Sequence, residues 1–138
     1  MPTLRLFMEN FLTKHYPEQS YSYFGDLAKI RSYNTMKIFH PYYHIHFKDK
    51  PTICIVGIEP NIILYLCPEG IKKIQEFERK IQCSLLWTLE SDGNVYGKCN
   101  TKLYLITYIL TGLIKIKHLD NNPLNNMLDN LIEMDQKK

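Results

Sequence analysis

Residues 52–82, TICIVGIEPNIILYLCPEGIKKIQEFERKIQ, change their hydrophobic period midway, and that change decides the fold class. Thr52 to Ile58 and Asn61 to Cys67 are β-branched and aromatic runs on either side of the turn-forming pair Glu59-Pro60, so they predict two strands of a hairpin. From Glu69 to Gln82, Ile71, Ile74, Phe77 and Ile81 line one helical face, while Lys72, Lys73, Glu76, Arg79 and Lys80 cover the other. This is the clearest helix in the chain. Strands clustered between helices make the expected class α+β.

Working outward, Leu4, Phe7, Met8, Phe11 and Leu12 recur at helical spacing before Pro17 and predict an amphipathic helix over Thr3 to His15. Ser20 to His46 is aromatic and irregular, with a short helix expected at Asp26 to Tyr33. On the other side, Ser84 to Leu89 and Val95 to Lys98 flank Ser91-Asp92-Gly93-Asn94 as a second hairpin, because Asp-Gly supplies the positive φ of such a turn. Lys102 to Leu110 and Leu113 to His118 read as extended or partly helical runs around Thr111-Gly112. Asn122-Pro123 then offers an N-cap and first-turn proline to a C-terminal helix with Leu124, Met127, Leu128, Leu131 and Ile132 on its apolar face. The expected architecture is antiparallel strands and hairpins with N-terminal, central and C-terminal helices, residues 1–138 forming one domain.

With 45% hydrophobic and 22% charged residues the composition is that of a globular chain, far from the signature of disorder. The formal charge is +3, concentrated in residues 1–50 and 91–118, which permits an anionic partner without requiring one. Cys54, Cys67, Cys83 and Cys99 are too widely spaced for a zinc knuckle and lie among apolar neighbours, so they are expected to be buried reduced thiols. No run of about 18 apolar residues is present and Met1 to Asn10 lacks a signal-peptide core, so an intracellular location and no membrane partner are expected. No nucleotide-binding glycine motif, nucleophile elbow or zincin motif occurs.

Two clusters carry chemistry upstream. His44 and His46 alternate with Ile45, so on a strand both imidazoles face one side and could share a metal or a phosphate; with His40 they more simply read as hydrogen-bonded members of an aromatic surface. Lys29, Arg31, Lys37, Lys48 and Lys50 interleave with Tyr23, Tyr33, Tyr42 and Tyr43, the composition of a surface that tracks phosphates and stacks bases. A solvated basic face over aromatic core residues is the alternative.

The run His118-Leu119-Asp120-Asn121-Asn122-Pro123-Leu124-Asn125-Asn126-Met127-Leu128-Asp129-Asn130-Leu131 resembles the HNH nuclease family of the homing-endonuclease and phage type. There a strand ending in His-Ile-Asp enters a tight Asn-rich loop that closes with Asn-Leu. Trp87 to Leu110 is similar to the hairpin and apolar segment that precede the motif, so the resemblance spans residues 87–138. It implies that His118 is the general base that activates water and that Asn130, with Asn126, orders the loop. It also implies one divalent metal, such as Mg²⁺, held by the acid preceding the His and by an Asn or His on a later helix. Here the first of those positions is Lys117, which offers no lone pair, and after Asn130 only Glu133 and Asp135 are candidate donors.

The expected function is therefore a non-catalytic nucleic-acid- or nucleoprotein-binding protein without a cofactor, contacting its partner through Lys29, Arg31, Lys37, Tyr42, Tyr43, Lys48, Lys50, Lys115 and Lys117. The alternatives are a structural subunit that docks through its Tyr-rich surface and N-terminal helix, and a surviving metal-dependent DNA endonuclease with His118 as its base. Two local structures follow from the same residues. Common descent requires His118 to end a paired strand and Asn130 to bond across the loop. The apolar period instead favours one helix from Pro123 to Ile132 with Asn130 exposed.

Overall fold

A computed structural model of the chain describes residues 3–29 and 39–134, with Thr3, Ala28, Lys29 and Phe39 described by their backbone alone. Among these residues the class is α+β. Helix α1 (Thr3–His15) is followed by strands β1 (Ser20–Lys29), β2 (Phe39–His46), β3 (Ile53–Ile58) and β4 (Ile62–Leu66). Next come helix α2 (Pro68–Ile81) and strands β5 (Leu86–Leu89), β6 (Val95–Cys99) and β7 (Lys102–Leu105). The short helix α3 (Ile106–Thr111) leads into β8 (Ile116–His118), a 3-10 turn (Leu128–Asn130) and β9 (Leu131–Glu133).

Strands β1 to β4 form an antiparallel sheet in chain order, and pleat alternation gives it two apolar faces. Tyr43, Ile45, Ile55 and Ile63 meet Met8 and Leu12 of α1 on one side. Tyr42, Cys54, Val56, Ile58, Leu64 and Leu66 meet Ile71 and Ile74 of α2 on the other, in a core that also takes in Trp87, Val95, Ile106 and Leu110. The close approach of α1 depends on Gly57, where a Cβ would lie 2.5 Å from the Met8 sulfur and 3.0 Å from Leu4 Cγ. Helix α2 starts with Pro68 at its first turn and stops where Gln82 adopts φ 57°, a left-handed C-cap.

Strands β5, β6 and β7 form a second antiparallel sheet. His40 joins it to the first. Its side chain is 1% exposed, accepts the Trp87 N–H at Nε2 (2.9 Å) and therefore carries its proton on Nδ1, which donates to the Gly57 carbonyl (3.0 Å).

Three expectations are corrected. Asp26 to Lys29 is strand and not helix, because pairing with β2 overrides local preference; Gly25, at φ 86°, and register shifts on both sides of Asp26 absorb the irregular sequence. Residues 30–33 of that expected helix, with Tyr33, lie outside the described residues. Cys83 and Cys99 are joined by a disulfide, with Cα atoms 6.3 Å apart, which fastens the end of α2 to β6; Cys54 and Cys67 are free. Pro123 to Ile132 forms no continuous helix. It is a hydrogen-bonded loop, the 3-10 turn and the start of β9.

Candidate histidine loop

His118 ends β8, which pairs antiparallel with β9 in the register Ile116↔Glu133, Lys117↔Ile132 and His118↔Leu131. The intervening residues avoid a helix because their side chains satisfy the backbone locally. Asp120 Oδ1 accepts the Asn122 N–H (2.9 Å), Asn122 Oδ1 the Leu124 N–H (3.1 Å) and Asn125 Oδ1 the Met127 N–H (3.3 Å), three successive Asx turns.

Asn130 ties the loop shut. It is 8% exposed, donates from Nδ2 to Asp120 Oδ1 (2.9 Å) and to the Asn125 carbonyl (2.8 Å), and accepts the Asp120 N–H at Oδ1 (3.2 Å). The Leu119 N–H donates to the Asn130 carbonyl at 2.9 Å. Hydrogen bonds from Asn125, Asn130 and the Asn122 N–H hold the Asp120 carboxyl below its ordinary range, so it is an anionic acceptor at neutral pH.

Asn126, fully buried, fixes the imidazole. Its Nδ2 donates to the Pro123 carbonyl (2.9 Å), which turns Oδ1 towards His118 Nε2 at 2.8 Å. Because Oδ1 only accepts, Nε2 carries the proton and Nδ1 keeps the free lone pair of a base. The Asn126 backbone is anchored in turn on the four-stranded sheet. Its N–H donates to the Tyr65 carbonyl and the Tyr65 N–H donates to the Leu124 carbonyl, both at 2.8 Å, a parallel bridge that closes the free edge of β4. A chain of bonds thus runs from sheet edge to Asn126 to His118.

Pleat alternation places Lys117 with Ile132 on the face opposite His118 and Leu131, and leaves Lys115 and Lys117 exposed. Glu133 lies on the His118 face, two pairs along. Among the described residues no group of three or more His, Cys, Asp or Glu is placed to hold a metal ion, and Asp135 lies outside them.

The upstream basic and aromatic residues separate. Tyr42 and Tyr43 are buried, because they pack the two cores, and so cannot stack on bases as expected; the correction follows from their position on the central strand β2. Tyr43 also donates to Glu9 Oε2 (2.7 Å). Arg31 and Lys37 lie outside the described residues, and Lys29 is at the end of β1. Lys48 and Lys50 are exposed, the latter with Nζ 4.8 Å from the Phe47 ring centroid. Among the described upstream residues, the exposed aromatic side chains are Tyr21, Tyr23 and Phe24 on edge strand β1, with the Arg5 guanidinium 3.9 Å over Tyr23. The alternation Ser20-Tyr21-Ser22-Tyr23 is the strand-period signal that points to two of them. This edge and the histidine loop lie on opposite margins of the sheet, about four strand spacings or ~19 Å apart. A search with this chain finds no matching family model, no matching curated protein and no matching solved structure.

Proposed function

We propose that the protein binds nucleic acid without cleaving it, presenting a histidine loop that resembles the HNH motif beside the cationic pair Lys115 and Lys117. The observation that supports this reading is the loop itself: His118 ends a paired strand, Asn126 sets its tautomer, and Asn130 locks the turn, all on the residues that carry the resemblance. A pre-oriented imidazole becomes a donor to phosphate at Nδ1 on protonation, and Lys117, the adjacent residue, with Lys115, three residues before His118, adds sequence-independent attraction. Lys117 stands where the resemblance would put a metal-binding carboxylate, which argues for binding over metal-assisted hydrolysis.

Labelled single- and double-stranded DNA and RNA, titrated against salt, test the reading. Binding should weaken steeply with salt, and Lys115→Ala and Lys117→Ala should each reduce the slope on duplex DNA by about 0.9. Absence of binding at low ionic strength would reject it. Plasmid incubated with Mg²⁺ or Mn²⁺ should stay intact. Cleavage abolished by His118→Ala would establish the metal-dependent endonuclease instead.

A second reading is favoured by one observation. Ile114 (80% exposed), Leu119, Ile132 and Met134 leave apolar surface uncovered around the β8–β9 ribbon, as a subunit of a larger assembly would. Light scattering after size exclusion distinguishes the two: a concentration-independent monomer counts against the subunit.

A further inference from the structure

His44 and His46 project from the same side of β2, as the i, i+2 spacing dictates, and both rings are partly exposed. Their centroids are 6.4 Å apart. Among the described residues neither imidazole is in a salt bridge. Each ring is nevertheless held. Phe24 stacks on His44 at 3.8 Å with 22° between the planes, and Ser22 Oγ lies 3.1 Å from His46 Nε2. A hydroxyl on one ring nitrogen is the kind of outer contact that orients a metal-binding imidazole, and it leaves Nδ1 of His46 available.

We propose that His44 and His46 form an open two-imidazole site for a late divalent transition metal, binding copper most tightly and zinc next, with water completing the coordination. Imidazole suits these metals, and copper leads the order of affinity at nitrogen sites. With metal–nitrogen bonds of about 2 Å, two imidazoles share an ion at centroid separations of roughly 5–6 Å, so a modest rotation of one ring closes the remaining gap. Cys54, directly opposite His44 on β3, does not join them. It is fully buried and its thiol is pushed up to about 12 by burial, so it stays protonated. The site is therefore open, suited to an exchangeable ion.

The test titrates the full chain, stripped of metal, with Cu²⁺ and separately with Zn²⁺. Calorimetry should show one site for each ion, and electron paramagnetic resonance of the copper form should show hyperfine coupling to two imidazole nitrogens. His44→Ala and His46→Ala should each weaken binding at least 10-fold, Ser22→Ala should weaken it several-fold, and His15→Gln should leave it unchanged. Circular dichroism identifies any variant that fails to fold, and the two-nitrogen signature of the unaltered protein then decides. Coupling to fewer than two imidazoles, binding no tighter than about 100 μM, or affinity retained in both folded alanine variants would overturn the proposal.

Discussion

At the scale of single residues, the buried polar side chains carry the sharpest consequences. Burial holds His40 below its ordinary value of 6.5 against the weaker opposing effect of the Gly57 carbonyl. The unfolded chain therefore takes up this proton first on acidification, so the contribution of His40 is complete above pH 6.5 and is lost as pH falls through 6.5 towards the lower folded value. Urea midpoints should decline from pH 7.5 to 5.5 more steeply in the native protein than in His40→Gln, which keeps an acceptor for the Trp87 N–H but does not titrate. Equal slopes would refute the link. Asn126 makes a different prediction. Its replacement by Ala strands the Pro123 carbonyl and the His118 Nε2–H, costing about 1–3 kcal/mol in chemical denaturation and releasing His118 to a mixture of tautomers. Nitrogen NMR of the unaltered protein should show the Nε2–H form; a dominant Nδ1–H form would contradict the hydrogen-bond assignment.

At the scale of elements, what the sequence discloses depends on where the deciding contacts lie. Helices α1 and α2 and the β3–β4 and β5–β6 hairpins follow from local period and turn residues, and they stand within a few positions of their expected bounds. Strand β1 does not, because its partner lies some twenty residues away and its register is interrupted at Asp26. The run from Pro123 to Ile132 supports two readings, since Leu124, Leu128 and Leu131 fit a helical face. The core takes up all three, yet from a loop and a strand. What decides is that Asp120, Asn122 and Asn125 bond their own backbone, an option that apolar periodicity cannot register. The packing of α1 on β3 gives the test at this scale. Gly57→Val should destabilise by about 1–3 kcal/mol through overlap with Met8 and Leu4, and Met8→Ala should be less harmful in that background than alone. Additive effects in a double-mutant cycle would mean that the helix does not rest there.

At the scale of the whole molecule, the four-stranded sheet is joined to the β5–β7 sheet by the His40 bridge and the shared core, and to the histidine loop by the Tyr65 contact. The candidate site is thus partly a product of the N-terminal half, although the residues that announce it lie after His118. Nothing in the spacing of four cysteines reveals which two pair; only the meeting of α2 with β6 brings Cys83 to Cys99. With the partners at a sequence separation of 16, reduction should cost roughly 3 kcal/mol, read as a shift in denaturant midpoint that a Cys83→Ser/Cys99→Ser variant does not show. The denatured, unreduced chain should titrate two thiols with Ellman's reagent, those of Cys54 and Cys67; four would exclude the bridge. The same bridge encloses the exposed turn at Ser91 and Asp92. A protease that nicks this turn would sever the peptide without separating the molecule: the fragments should migrate as one band on a non-reducing gel and fall into two when thiol is added, so a chain already cut could pass for an intact one.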